Sequence, residues 1–245
     1  MQTYLKKFIK IFFIYLAYLS QPTDSQAQTT LHKKADSLYK EKNFEQAYII
    51  YQKIFENNSN INPNIFLKLA YISEQKGEFV NELFYLNKYL FQKPSESIFE
   101  KMYVIATENG FSGYEKNDLN YILFYYRQYA NYIWGTLILL GIYIFVVLIM
   151  KKNRGQFSPL RHKIVFVIYL IFLAGLINLP NNYRSAIIKN EKVYLRDYPS
   201  AASQIIGSIT EGNRLNIIKS DDIWFQVLWE GKFCYIKSTD ILVVK

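Results

Sequence analysis

The chain has 245 residues, of which 51% are hydrophobic and 18% aromatic, and its formal net charge is +9. Residues 28–131 carry twelve basic and twelve acidic residues, so no folded region shows the one-sided charge excess that nucleic-acid binding would require. A single cysteine excludes an internal disulfide, and two histidines are too few for a histidine-rich metal site.

Residues 1–27 predict a signal peptide. Three lysines among the first ten residues precede the apolar run 11–19, and Ser25 and Ala27 are the small residues expected before a cleavage site after Ala27. The residue directly after this site is Gln28 and not a cysteine, which excludes a lipoprotein anchor. An uncleaved anchor helix is the alternative, and both interpretations place the following chain outside the cytoplasm.

Residues 28–131 predict stacked helical hairpins. Apolar periodicity indicates helix pairs over residues 31–58 and 64–95, and a more degenerate third unit over 95–131. Equivalent residues of the first two units are 35 positions apart, which is typical of helical repeats. The matched pairs are Ala35 with Ala70, Phe44 with Phe79, and Ile54 with Tyr89.

This segment resembles tetratricopeptide (TPR) repeats. It has small residues in the first helices, an aromatic residue after each turn, Ala47 in a second helix and a closing Pro94, but Glu82 replaces an expected alanine. The resemblance implies a peptide-binding groove lined by the first helices, although Tyr39 and Tyr71 could instead pack between helices. The candidate groove residues are Tyr39, Lys40, Asn64, Tyr71, Glu74 and Gln75.

Two apolar runs predict transmembrane helices at residues 132–150 and 164–180. Residues 133–150 contain no charge and span roughly 27 Å as a helix, and residues 164–179 span about 24 Å, against a hydrocarbon core of about 30 Å. Because the second run is short, a buried core helix or strand is its alternative.

The loop between these runs, residues 151–163, contains five basic residues and no acidic one. Export by the signal peptide places the start of the mature chain outside, so two spans predict that this loop is cytoplasmic and that the C-terminal segment is periplasmic. The positive-inside rule independently favours the same topology. The basic residues also suit contact with anionic lipid headgroups.

Residues 190–245 predict a small all-β domain. Here apolar and polar residues alternate with a period of two, which predicts a series of five or six short strands. Glu230 and Gly231 form a two-residue hairpin turn between two of them. The order of landmarks from Leu195 to Lys232 resembles the bacterial SH3-like domain, with Cys234 and Tyr235 where that family usually has glycine and tryptophan.

Three aromatic residues form a candidate surface of this domain: Trp224, Tyr198 and Tyr235. Strand alternation places Phe225, Val227 and Trp229 on one face and Trp224 on the other. An inward Val227 would leave Trp224 at least partly on the surface, either as a ligand platform or as a cover for the core edge.

No catalytic, cofactor-binding or metal site is predicted. A cysteine peptidase would need Cys234 beside a histidine, but His162 lies in the predicted cytoplasmic loop and His32 in another domain. Asp221 and Asp222 fall in a turn, where carboxylates usually contact solvent. The sequence favours a non-enzymatic protein.

The predicted architecture is α plus β: TPR-like helical hairpins, a two-helix transmembrane hairpin and a small all-β SH3-like barrel. This order resembles the BatE-like membrane proteins of the Bacteroides aerotolerance operon. The resemblance implies partners among Bat proteins with von Willebrand A domains and a MoxR-type ATPase, and a role in oxygen tolerance or envelope stress. The residues themselves predict an inner-membrane scaffold with two periplasmic binding modules; the alternative is a peptidoglycan-binding protein that acts through its tail.

Overall fold

A computed structural model of the protein describes residues 26–57, 61–115, 118–156, 159–182 and 184–244. The predicted signal peptide lies outside these residues except for its last two, which belong to the first described helix. The chain divides into two compact units, one ending at Ile61 and the other beginning at Asn62.

The protein is a mixed α/β structure, with seven α-helices and a seven-stranded antiparallel sheet in its described residues. The helices are α1 (Gln26–Lys40), α2 (Phe44–Asn57), α3 (Asn64–Gln75), α4 (Phe79–Gln92), α5 (Glu96–Glu108), α6 (Asp118–Asn153) and α7 (Leu160–Asn182). The strands are β1 (Arg184–Ile188), β2 (Lys192–Arg196), β3 (Ile205–Thr210), β4 (Arg214–Asp221), β5 (Trp224–Trp229), β6 (Lys232–Lys237) and β7 (Ile241–Val243). Helices α1 and α2 form the first unit.

Helices α1, α3 and α5 end in the same way. Each is followed by a residue with positive φ, and the next amide donates to a carbonyl five residues back, as in a Schellman motif. The positive-φ residues are Lys42 (61°), Gly77 (70°) and Gly110 (70°). The donor and acceptor pairs are Asn43 to Leu38 (2.9 Å), Glu78 to Ser73 (2.9 Å) and Phe111 to Ala106 (2.8 Å). The local structure therefore repeats at intervals of 35 and 33 residues.

Helix α4 is the most enclosed helix of the second unit. Residues 82–87 are all buried, because α3, α5 and strand β1 each contact this helix. Ala70 of α3 and Ala106 of α5 are also buried. The aromatic Phe79, by contrast, is substantially exposed.

Helices α6 and α7 contain the two predicted membrane spans. Both are long and apolar enough to cross a membrane, and almost none of their most apolar segments is buried in the protein. The alternative of a buried core helix or strand for the second run is therefore wrong. Helix α6 has 36 residues, or roughly 54 Å, and continues without a break from the predicted last repeat helix. Helix α7 begins at Leu160, so the connection between the helices is shorter than the predicted 151–163 loop.

The two helices form an antiparallel hairpin. The Tyr126 hydroxyl donates to the Leu176 carbonyl at 2.6 Å, and the Tyr169 hydroxyl donates to the Leu137 carbonyl. The rings of Phe145 and Phe166 stack with centroids 6.3 Å apart.

The strand order of the sheet is β3-β2-β6-β5-β4-β1-β7. Its core includes Leu195, Val227 and Ile236. The predicted hairpin turn between β5 and β6 is confirmed, with positive φ at both Glu230 (49°) and Gly231 (77°).

Strand β1 lies before the predicted start of the β-domain at residue 190. It pairs with both β4 and β7, so it is an interior strand of the sheet. Residues 185–188 are all buried, because one face of β1 lies against the sheet core while the strand also contacts α4. Burial on both faces removes the apolar-polar alternation by which strands are usually recognised.

Candidate functional site

The predicted groove residues of the second unit share one face of α3. Asn64, Tyr71 and Gln75 are separated by seven and four positions, and Glu74 is three positions after Tyr71, so all four lie along one side of the helix. Each is exposed, and Tyr71 is 40% accessible to solvent. This face, called here the α3 face, presents one aromatic, one acidic and two amide side chains.

The other two predicted groove residues belong to the first unit. The Tyr39 ring packs edge-on against the rings of Phe44 and Tyr51, with centroid distances of 5.7 Å and 6.4 Å. Much of this ring therefore packs within the helical hairpin. Lys40 is exposed at the end of α1.

A charged network links α3, α4 and α5. The Lys101 ammonium lies 2.9 Å from a carboxylate oxygen of Glu74 and 2.9 Å from one of Glu82. Glu82, the residue in place of the expected alanine, is only 1% exposed. Lys101 therefore connects a buried carboxylate to one on the α3 face.

Burial raises the pKa of the Glu82 carboxyl, and the opposing attraction of Lys101 does not cancel this effect. Burial alone would lower the pKa of Lys101, but its hydrogen bonds to Glu74 and Glu82 outweigh burial and raise that pKa. The raised pKa of Lys101 favours the charged ammonium, which lies within hydrogen-bonding distance of carboxyl groups on α3 and α4 and so connects α5 to both helices.

The candidate surface of the β-domain is only partly exposed. The common face that strand alternation predicts for Phe225, Val227 and Trp229 is confirmed, since all three belong to the sheet core or pack against it. The expectation that Trp224 therefore lies at the surface is wrong, because this residue is only 6% exposed. The Lys237 ammonium lies 5.6 Å from the centre of its indole ring, so a neighbouring strand covers it.

Tyr198 and Tyr235 remain accessible. Tyr198 is 66% exposed, and Tyr235 is half-buried and receives a hydrogen bond from the Gln226 amide at 3.3 Å. Phe233 lies two residues before Tyr235 on the same side of β6 and is also exposed, so it extends this aromatic surface. Sequence alternation around the buried Cys234 is the signal that could have identified Phe233.

The second unit contains a junction between its helices and its sheet, formed by residues 111–114 after α5 and residues 212–214 before β4. The Ser112 amide donates to the Asn213 side-chain oxygen at 2.7 Å, and the Arg214 amide donates to the Ser112 carbonyl at 3.0 Å. The hydroxyl of the buried Tyr114 donates to the Gly212 carbonyl at 2.9 Å. These contacts join segments about 100 residues apart.

Two glycines make this junction possible. A Cβ atom on Gly113 would lie 2.2 Å from the Arg214 carbonyl oxygen, and a Cβ on Gly212 would lie 2.5 Å from the ring of Phe111. Both glycines also have positive φ, at 91° and 78°. Any larger residue at either position would meet a steric conflict in addition to an unfavourable backbone conformation.

The sequence predicts a third helical pair over residues 95–131 and a series of short strands from residue 190, but it predicts no contact between them. In the structure Gly110 terminates α5, and residues 111–114 contact the sheet. The junction is the principal structural feature of the protein that the sequence did not reveal.

The single cysteine of the sequence, Cys234, is buried in the core of the sheet. Cys234 is 1% exposed, and burial raises the pKa of its thiol to about 11, which opposes thiolate formation. Within the described ranges, no group of three or more histidine, cysteine, aspartate or glutamate residues could hold a metal ion.

Comparison with protein-family models and with curated proteins finds no match for this chain. The features of this chain that bear on its function are the α3 face, the aromatic surface of the β-domain, the junction and the two exposed apolar helices.

Proposed function

We propose that the protein is a non-catalytic scaffold of a bacterial inner membrane that presents TPR-like hairpins and an SH3-like domain in the periplasm. The observation that carries this proposal is the continuity of α6. Near its start Phe124 packs against Phe99 of α5, with ring centroids 5.3 Å apart, while most of the following helix is apolar and exposed. One helix thus joins folded domains to a segment suited to lipid.

Charge supports the proposed orientation. The connection between α6 and α7 lies at the end of the hairpin with the basic residues, and the sheet follows α7 at the other end. Under the positive-inside rule the connection is cytoplasmic and the sheet is periplasmic. The junction then holds α3, α4 and α5 on the same side as the sheet.

The α3 face supports a role in binding proteins. An exposed aromatic side chain beside amides and a carboxylate offers both apolar contact and hydrogen bonds to an extended peptide. By resemblance to BatE-like proteins, we propose that the partners include membrane proteins with von Willebrand A domains, and that the complex acts in oxygen tolerance or envelope stress.

Affinity purification from solubilised membranes after cross-linking tests this proposal. We expect the full chain to recover other membrane or periplasmic proteins, and the Tyr71→Ala/Gln75→Ala variant to recover at least fivefold less of them. Tyr194→Ala is the matched control, because Tyr194 is similarly exposed but lies on β2, away from α3. Equal recovery by the α3-face variant and the wild type would contradict a protein-binding role for this face.

A peptidoglycan-binding role is the second candidate, supported by the exposed aromatic residues of the β-domain. Tyr198, Phe233 and Tyr235 could stack on sugar rings. The test is sedimentation of the full chain in detergent with purified sacculi, since a fragment beginning at residue 190 would lack the interior strand β1. Co-sedimentation lost in Tyr198→Ala/Phe233→Ala would favour this role, and absence of co-sedimentation would exclude it.

A further inference from the structure

We propose that the cytoplasmic half of the α6–α7 hairpin binds two anionic phospholipids, one in each of two crevices between the helices. This inference rests on the membrane orientation proposed above. It specifies where the lipids bind and which side chains distinguish anionic from zwitterionic lipids.

The first crevice has a volume of about 460 Å³. It combines an apolar wall with cations at its cytoplasmic end. Its lining includes Ile144, Val147 and Lys151 of α6, and Arg161, Val165 and Tyr169 of α7. The α6 residues follow a spacing of three and four, so they form one continuous strip that leads from the apolar region to the lysine.

The second crevice, of about 740 Å³, lies along a neighbouring strip of the same helices. Its lining includes Phe145, Ile149 and Lys152 of α6, and Lys163 and Val167 of α7. Leu148 and Phe166 line both crevices, so these two side chains separate them. Each crevice therefore has its own pair of basic residues, Lys151 with Arg161 in one and Lys152 with Lys163 in the other.

A phospholipid with a net negative charge matches both parts of each crevice. An acyl chain can fill the apolar wall, and the phosphate then lies at the depth of the basic pair. Residues 119–190 contain no aspartate or glutamate, so no carboxylate within this stretch of the sequence competes for these cations. A guanidinium can also bind phosphate through two parallel hydrogen bonds. A zwitterionic lipid gains less, because its own amine already compensates its phosphate.

Native mass spectrometry of the full chain in detergent, titrated with phosphatidylglycerol or phosphatidylcholine, tests the inference. We expect two phosphatidylglycerol molecules per chain and weaker binding of phosphatidylcholine. Lys151→Gln/Arg161→Gln should remove one molecule, and Lys152→Gln/Lys163→Gln the other. Each pair should weaken its site by about thirtyfold, given the usual contribution of a basic residue to anionic-lipid binding.

Arg154→Gln is the matched control, because Arg154 belongs to the same basic segment but lines neither crevice. It should leave both lipids bound. Equal binding of the two lipid types, or an Arg154→Gln loss as large as that of either pair, would overturn the proposed sites in favour of diffuse charge attraction. Circular dichroism of each variant verifies that the helices are intact.

Alkaline carbonate extraction separates failure of this inference from failure of the proposed function. A chain that remains in the membrane but does not prefer anionic lipid refutes only the lipid sites. A chain that is released by carbonate refutes the membrane scaffold itself.

Discussion

Replacement of Gly212 by alanine should destabilise the junction between the helices and the sheet. The new Cβ would approach the Phe111 ring to 2.5 Å, far inside van der Waals contact, on a backbone with φ of 78°. The backbone conformation alone costs about 1–2 kcal/mol for a non-glycine residue. Overpacking against the ring adds about 1–3 kcal/mol.

Gly231→Ala separates these two contributions. Gly231 has nearly the same φ, 77°, but a Cβ there would meet nothing within 4 Å. It should therefore show only the conformational cost. Gly212→Ala should lower the free energy of unfolding by about 1–3 kcal/mol more than Gly231→Ala. Adding Phe111→Ala to Gly212→Ala should recover much of this difference, because the clash is then removed.

The assay combines equilibrium unfolding of the full chain in mild detergent with amide hydrogen exchange followed by mass spectrometry. Exchange in residues 111–114 and 212–214 should accelerate in Gly212→Ala and stay near wild type in Gly231→Ala. Equal destabilisation by the two variants, with unchanged exchange at the junction, would refute the close contact between Phe111 and Gly212.

Three further predictions concern other buried or strained groups. Because the pKa of Glu82 is raised in the folded state, the folded chain binds more protons than the unfolded chain over the intervening pH range, and its stability should fall as pH rises from the ordinary glutamate range through the raised pKa. Unfolding measured at several pH values should show this dependence, and Glu82→Gln should flatten it. A slope unchanged by Glu82→Gln would contradict the assignment to Glu82. Lys42→Gly should raise the free energy of unfolding of the α1–α2 hairpin by about 0.5–1 kcal/mol, because φ of Lys42 is 61°. Lys40→Gly, within the helix, should lower it. A Lys42→Gly variant that is no more stable than the wild type in thermal unfolding would contradict the helix end described. Cys234 should react with maleimide roughly a hundredfold more slowly in the folded chain than after unfolding, and fast labelling of folded protein would refute its burial.

The helical part of the fold could be predicted because its signals are local. Gly77 and Gly110 lie where helices end with positive φ, and the apolar runs carry enough length and hydrophobicity to mark α6 and α7. The hairpin at Glu230 and Gly231 is equally local.

The remaining features depend on contacts between distant residues. Strand β1 has no alternation because it is buried on both faces, so its sequence resembles a linker after an apolar helix. Alternation correctly assigned the face of Trp224 but not its burial, which also depends on the cover provided by Lys237. Phe111 contacts Gly212, but the sequence around neither residue carries a local pattern that identifies the other.

The same distinction applies to the candidate site. The α3 face follows from helical spacing, so Tyr71, Glu74 and Gln75 could be grouped from the sequence. The salt bridges from Lys101 to Glu74 and Glu82 could not, since they require the packing of three helices. Glu82 departs from the repeat pattern in the sequence, and its ion pair with Lys101 explains how a buried carboxylate occupies that position.

In the proposed scaffold the basic connection and the folded domains lie on opposite sides of a membrane. Reporter fusions at Gly155 and after Lys245 test it most directly in one experiment. We expect active β-galactosidase and inactive alkaline phosphatase at Gly155, and the reverse after Lys245. Active alkaline phosphatase at Gly155 with active β-galactosidase after Lys245 would place the sheet in the cytoplasm and contradict the proposed periplasmic scaffold.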